Sequence, residues 1–485
     1  MKRFARLLTA LLAVSMTVSC ASTGEGTSPV DTTGETTTSE AENTPKSGVP
    51  DGLTFEGEGI HIWTTTNPSS ELVNLEGEQD GDIVNDGIYQ VNLAVSERLD
   101  LDIKWHDSGI YANDIDAEIS KLILADDTTY DVMNIVQYGA GYLCAEGMYY
   151  NMMGAPYIDL ANPWWDYEYM KEMTVGNDKL YLMVGDFSID RTRTLNCIFY
   201  NKRIYADFYG NEDGLYQEVL DGKWTVDRMM EISRMTYSDL NNNDTVDPED
   251  MLGCAGNKDN SVDNIFYGMG ADVTSRDDKG IPYFTMTTEH IADVCSKLYA
   301  FFCETEGVHQ FSDRYQVLPT FAEGRAAFMI GFFYDTDNEL MRSMKDNYGI
   351  LPSPKYDEAQ KEYVTGRHNI MRDMVLPINC QKVDAVCAML EEMGCQSYVN
   401  LLPKYHEQAL KQKYARDELS GKMIDIIRDN CSTDFAYIYG DYCNTIGLLH
   451  RTMISKGQSS IASLYAEKES KGKELMQTLI DQFAK

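Results

Sequence analysis

Apolar and polar positions in the folded part of the chain switch between a period of two and a period of 3.6 residues. The run GIHIWTTTN, from residue 59, alternates and ends in a Thr/Asn turn, which predicts a strand. In DGDIVNDGIYQVNLAVSERLDLDIKWHDS, Val84, Ile88, Val91, Val95 and Leu99 recur at helical spacing, after which Leu101, Ile103 and Trp105 alternate. DIDAEISKLILADDTTYDVMNIV adds another helix and a short strand from Val132 to Val136. Strand, helix, strand, helix, strand in that order predicts parallel pairing with helices on the faces. Open sheets of this kind bind ligands in the loops after their strands. Those loops carry Trp63-Thr64-Thr65-Thr66-Asn67 and Gln137-Tyr138-Gly139.

The amino terminus has neither period. Met1-Lys2-Arg3 precedes FARLLTALLAVSMTVS, a basic-then-apolar leader too short to span a bilayer as a mature helix. Cys20 follows, and then a Ser/Thr/Gly/Glu/Asp run that cannot bury enough apolar area to fold. Leader, cysteine and polar tether resemble a bacterial lipoprotein, in which that cysteine takes the lipid, although Thr17 stands where such sequences usually have Leu. The expectation is a signal peptide over 1–19, a lipid-anchored linker over 20–49, and a folded part held at the outer face of the cell membrane.

Composition narrows the class. With 485 residues, 43% hydrophobic and 11% aromatic, the chain has material for two or three domains. A formal net charge of −36 argues against nucleic acid and anionic lipid head groups as partners. Besides Cys20 there are ten cysteines, none in CxxC spacing and many in apolar contexts such as LNCIFYNK; they read as free buried thiols rather than a metal cluster.

A series of motifs carries a family resemblance. In order they are Pro163-Trp164-Trp165, Lys179-Leu180-Tyr181 with Gly185-Asp186, Phe199-Tyr200-Asn201-Lys202, and Gly222-Lys223-Trp224-Thr225, with Thr225 a helix N-cap. Phe321, Gly324, Ala326, Ala327 and Phe328 follow, then Tyr348-Gly349, Leu351-Pro352 and Pro354-Lys355-Tyr356. Together they resemble the extracellular solute-binding proteins of ABC transporters, in the carbohydrate-type branch. The resemblance implies an α/β fold of two lobes with several crossing segments and a ligand cleft between them. Crossings are expected near 185–190, 304–310 and 348–355. One lobe would then hold 50–186 with 309–348, and a helix-rich lobe 187–305 with 352–485.

Two constellations carry candidate chemistry. In DLNNNDTVDPED, Asp239, Asn241, Asn243, Thr245, Asp247 and Asp250 occupy positions 1, 3, 5, 7, 9 and 12 of an EF-hand-type loop, with Asp244 in place of the usual Gly. The expectation is one structural calcium and no other cofactor; the alternative is an Asn/Asp-rich turn. A sugar presents flat apolar faces and many hydroxyls, so its site needs stacking aromatics and fixed polar partners. Trp63, Gln137, Tyr138, Trp165, Asp186, Arg191, Asn257, Phe332, Phe333, Tyr334 and Arg367 are the candidates, as residues of strand-end loops, crossings and the Trp-Trp segment.

No HExxH, G-x-S-x-G or phosphate-binding Gly loop is present. The expectation is therefore a monomeric, non-enzymatic binder that captures a small solute, an oligosaccharide foremost, and delivers it to ABC permease subunits. A surface-tethered carbohydrate-active enzyme and a binder of a peptide or cationic solute are the alternatives.

Overall fold

The computed structural model describes residues 45–67, 72–137, 140–411 and 418–484. The periodic segments form as read. Strand β1 (Glu58–Thr64) pairs in parallel with β2 (Leu101–Asp107) and β3 (Val132–Val136). The helix Ile83–Leu99 between β1 and β2 buries Ile88, Val91, Val95 and Leu99, one residue from each turn of its inner face. Asp82 starts it by accepting from the Val84 and Asn85 N–H groups, both at 3.0 Å. Asp100 stops it in the left-handed conformation (φ 50°).

The second lobe is built around β4 (Asn196–Asn201), β5 (Leu252–Asn257), β8 (Val308–Phe311), β9 (Ala326–Phe332) and β10 (Tyr348–Leu351), in the order β10-β4-β9-β5-β8. β9 is buried along its whole length, as a strand covered on both faces must be. A two-stranded hairpin, β6 (Thr274–Arg276) and β7 (Pro282–Phe284), projects from the same region. Thr225 caps the helix Val226–Thr236 through its hydroxyl, which accepts from Arg228 N–H at 3.3 Å. The first lobe's sheet has the order β11-β3-β1-β2, closed at one edge by β11 (Arg372–Val375) running antiparallel to β3.

The division of the chain between lobes differs from the expected one. β8, β9 and β10 pair with β4 and β5, so residues 309–348 belong to the second lobe and the chain does not cross at 304–310. It also stays in the second lobe through 348–351, because β10 pairs with β4. The return comes later, at 366–372, and delivers β11 and the helix Val383–Gln396 to the first lobe, where that helix packs on Ile83–Leu99. Helix Leu402–Lys411 also packs on the first lobe, and helix Glu418–Asp429 on β10 of the second. Residues 179–186 belong to no named strand and make isolated bridges, Met183 to Met374 and Gly185 to Trp165.

Candidate functional site

Two crossing segments lie side by side and antiparallel. Asn196 N–H donates to Gly366 O (3.0 Å) and His368 N–H to Thr194 O (2.9 Å), which sets Leu195 opposite Arg367. A further stretch joins them, because Thr365 donates to Asn430 O (3.0 Å) and accepts from Ser432 N–H (2.9 Å).

Side chains from these segments form a buried charge network. Arg367 Nη1 lies 2.7 Å from Asp166 Oδ2, and its guanidinium covers the Tyr169 ring at 4.6 Å. Arg191 bridges Asp186 (2.7 Å) and Asp166 (3.3 Å). Gln137, just past the end of β3, donates to both Asp373 oxygens (3.3 and 3.2 Å) and accepts from Tyr169 OH (3.0 Å). Burial pushes the Asp166 carboxyl up, but Arg367 and Arg191 outweigh it and hold the group below the ordinary carboxylate range. The deeper Asp186 stays above that range because burial exceeds what Arg191 supplies. Gln137, Asp186, Arg191 and Arg367 are therefore brought together, at the junction of the lobes.

The second-lobe wall starts at the carboxyl ends of β5 and β9. Asn257 is fixed by two reciprocal bonds with Ser261, N–H to Oγ at 2.9 Å and Ser261 N–H to Oδ1 at 2.8 Å. It lines a recess of about 20 Å³ with Asn260, Asn264, Arg314, Phe332 and Asp335. Phe332 and Tyr334 stack there at 5.3 Å, and His368 sets its edge on Phe332 at 4.6 Å. Burial keeps the His368 imidazole neutral, its pKa well below the usual histidine value. A second recess of about 10 Å³ shares Asn260 and Phe332 and adds Asn196, Arg367 and Tyr437. Each has room for about one water molecule.

The larger space lies between the lobes. A cavity of about 270 Å³ has Asp116 and Tyr142 of the first lobe on one side and Tyr437, Tyr439, Asp441 and Tyr442 on the other. Tyr437 also lines the second recess, so one side chain borders both spaces. Tyr142 follows β3 directly, in the helix Gly141–Ala145, and its ring faces Tyr442 at 6.3 Å with 23° between planes. Gly141 is required here, because a Cβ would meet Tyr439 Cδ1 at 2.5 Å. Tyr439 OH donates across the junction to Met173 O (2.8 Å). Asn444 and Thr445 both take positive φ, 52° and 57°, beside this cavity, a strained pair held by Lys468 on Asn444 O and Thr445 Oγ1.

Several sequence candidates lie elsewhere. Trp63 is 2% exposed inside the first sheet's core, and Phe333 is fully buried. Trp165 is buried against Gly185 and donates its indole N–H to Glu391 Oε2 at 2.7 Å. Tyr138 and Cys20 lie outside the described residues. The sequence reading did not single out Asp116, Tyr142, Tyr437, Tyr439, Asp441 or Tyr442. The signal was AYIYGDYC, three tyrosines and an aspartate within eight residues at a Gly turn.

The Asp239–Asp250 loop turns through Asn242 (φ 58°) and Asp244 (φ 56°), so Asp244 supplies the left-handed bend. Its carboxylates are engaged within the loop. Asp239 accepts from the N–H of Asn242 (2.6 Å) and Asp244 (2.9 Å), and Asp247 accepts from the amides of Asn241 (3.0 Å) and Asn243 (2.7 Å). Asp250 is fully buried and accepts from Leu240 N–H and Asp247 N–H, while Thr245 Oγ1 turns back to Asn243 O. Among the described residues, no group of three or more His, Cys, Asp or Glu side chains is placed to hold a metal ion. Ten cysteines are free thiols, seven of them buried.

Two lobes, each with its own sheet, joined by paired crossing segments and enclosing a cavity between them, can be compared with known architectures. No family model and no curated protein sequence matches the chain. Solved structures match over nearly its whole folded length. A cyclo/maltodextrin-binding protein complexed with maltotetraose is 13% identical, covering 89% of this chain and 97% of that one with a TM-score of 0.55. The fold is that of the ABC-transporter solute-binding proteins. UgpB from Mycobacterium tuberculosis, in complex with glycerophosphocholine, is also 13% identical with a TM-score of 0.55, covering 87% of this chain and 99% of that one. A solute-binding protein from Thermotoga lettingae bound with alpha-D-tagatose is 11% identical, covering 87% of this chain and 100% of that one with a TM-score of 0.54. Among the described residues no helix is long and apolar enough to cross a membrane.

Proposed function

We propose that this protein is an exported, lipid-anchored capture protein that binds a small polyhydroxylated solute of the sugar class between its lobes and passes it to an ABC permease. The observation that carries this reading is the 270 Å³ cavity between the lobes, with four tyrosines in its wall. Tyrosine rings offer flat apolar faces for the C–H faces of a sugar, and their hydroxyls bond at the rim. The solved structures of this fold, whose bound molecules include maltotetraose and tagatose, support the same class. Rotation of one lobe on the other about the paired crossing segments would close the cavity, and the solute drives closure only so far as it binds the closed form better. Cys20, after the secretory leader, supports anchoring near the permease.

A pair of carboxylates in a sugar-sized cavity, Asp116 and Asp441, also favours a second reading, a glycoside hydrolase. One experiment decides between them. Purified protein is incubated with an oligosaccharide panel, heat of binding is recorded by calorimetry, and the supernatant is chromatographed for products. Saturable binding with the sugar recovered intact supports capture. Steady product release overturns it.

A further inference from the structure

We infer that the captured solute carries an ammonium group on a sugar-like ring, an amino sugar, and that Asp116 and Asp441 select it. This rests on the reading of the inter-lobe cavity as the solute site and names the class that site prefers.

The argument is one of unmatched charge. The cavity wall contains two carboxylates and, among the described residues, no Lys, Arg or His. Neither carboxylate has a hydrogen-bond or ion-pair partner among the described side chains. Asp116 is half-buried and Asp441 exposed, and neither is met by a cation, in contrast to Asp166 with two arginines, Asp190 with Arg372 and Arg193, and Asp263 with His450 and Arg451. Two cations that bond residues of the cavity wall or its flank are already committed. Lys468 is held by Thr445 Oγ1 (2.7 Å) and Asn444 O (3.1 Å), and Arg451 beside Tyr437 OH is bound to Asp263. A third acid, Glu146, sits on the rim and accepts from Tyr442 OH at 3.3 Å. Burial first, and then the charge of Asp441, push the Asp116 carboxyl up to about 6, so the two acids already oppose each other.

The tyrosines then decide what kind of cation fits. Tyr142 and Tyr442 present roughly parallel ring faces, which attract both the C–H face of a sugar and a positive charge. A neutral sugar satisfies the rings and its hydroxyls can donate to the carboxylates, but their negative charge stays uncompensated. An acidic sugar adds a third negative charge. A bare metal ion finds only two carboxylates and makes no use of the aromatic wall. An ammonium fixed to a polyhydroxylated ring answers both features at once.

The test is calorimetric titration of the leaderless protein with D-glucosamine and its disaccharide, N-acetyl-D-glucosamine, D-glucose, spermidine and calcium chloride. The expected result is binding of the amino sugars up to about fivefold tighter than the acetylated and neutral ones, the scale of one exposed ion pair. Asp116→Asn and Asp441→Asn should each cost up to about fivefold for the amino sugars and so narrow their advantage over the neutral ones. Because these changes relieve a repulsion, neither variant should melt below the parent, which separates lost recognition from lost folding. Equal affinity for glucose and glucosamine overturns the inference and leaves sugar capture standing. Tight binding of spermidine or calcium with no response to sugars overturns both. Silence toward every probe also overturns both.

Discussion

Arg372 Nε and Asp190 Oδ2 lie 2.6 Å apart with both side chains shut off from solvent, one on each crossing segment. The same guanidinium donates to Thr65 O (3.1 Å) and Val73 O (2.7 Å), so one arginine joins the junction of the lobes to the loop after β1. Arg193 also bonds Asp190 (3.2 Å), so removing Asp190 strands two buried guanidiniums, whereas removing Arg372 leaves Asp190 one partner. Arg372→Met or Asp190→Asn should lower the unfolding free energy by about 3–5 kcal/mol in urea titrations. The double variant should lose less than the two single losses added, and strict additivity would count against the pair.

Trp63 and Trp165 give an opposite expectation to the one their sequence context suggests. Both are buried, so Trp63→Ala and Trp165→Ala should each cost about 3–5 kcal/mol of stability. A variant that melts like the parent but binds solute weakly would show the indole to be a ligand contact after all.

Tyr142 is 46% exposed and stands at the cavity mouth. Tyr142→Ala should therefore weaken solute binding by about 1–3 kcal/mol while shifting the melting temperature little. Unchanged affinity would place the solute elsewhere in the cleft.

The contrast between these residues shows what the sequence carried and what it did not. Helix Ile83–Leu99 and strands β1 to β3 were legible because their periodicity is local: each inner face repeats within one element. The allotment of β8, β9 and β10 was not, because AAFMIGF is equally apolar whichever sheet it joins, and its partners β4 and β5 lie far away along the chain. Trp63 sits at a strand end, which marks it for the cleft, yet its side chain turns into the core. Gln137, read from the same rule, does reach the junction, as does Arg367, read as lying near a crossing or loop end. Tyr437, Tyr439 and Tyr442 escaped because they come from short helical turns late in the chain, outside the strand-end rule.

The twelve-residue spacing of Asp239–Asp250 sets a test for calcium. Calcium at 100 times its dissociation constant should stabilise the fold by about 2.7 kcal/mol, and a chelator should reverse the rise in melting temperature. Asp239→Ala should abolish the response. A melting temperature indifferent to both calcium and chelator would leave the loop as an Asx-rich turn.

Asp434 caps the helix Phe435–Ile438 and accepts from Thr274 N–H (2.9 Å), Thr274 Oγ1 (3.1 Å) and Ala436 N–H (2.8 Å). Burial nevertheless raises its pKa to about 6, against those bonds, which lower it. A carboxyl raised on folding binds more protons in the native state. Its contribution is full below about pH 4 and is lost as pH rises through 6. Between these limits the parent should lose about 2–3 kcal/mol relative to Asp434→Asn, read from denaturant titrations at each pH. Parallel stability curves would remove Asp434 from the account.

The interleaving of segments has a practical meaning. The first lobe takes its β11 edge and a packing helix from sequence beyond residue 366, after the chain has already built the whole second sheet. A ribosome therefore finishes the second lobe's strands before the first lobe's sheet is complete. Neither lobe can be excised by one cut or produced alone from one uninterrupted stretch. Segment 366–372, which carries the covalent path from the second sheet to β11, is mostly buried, so proteases should cut it only after the lobes have come apart.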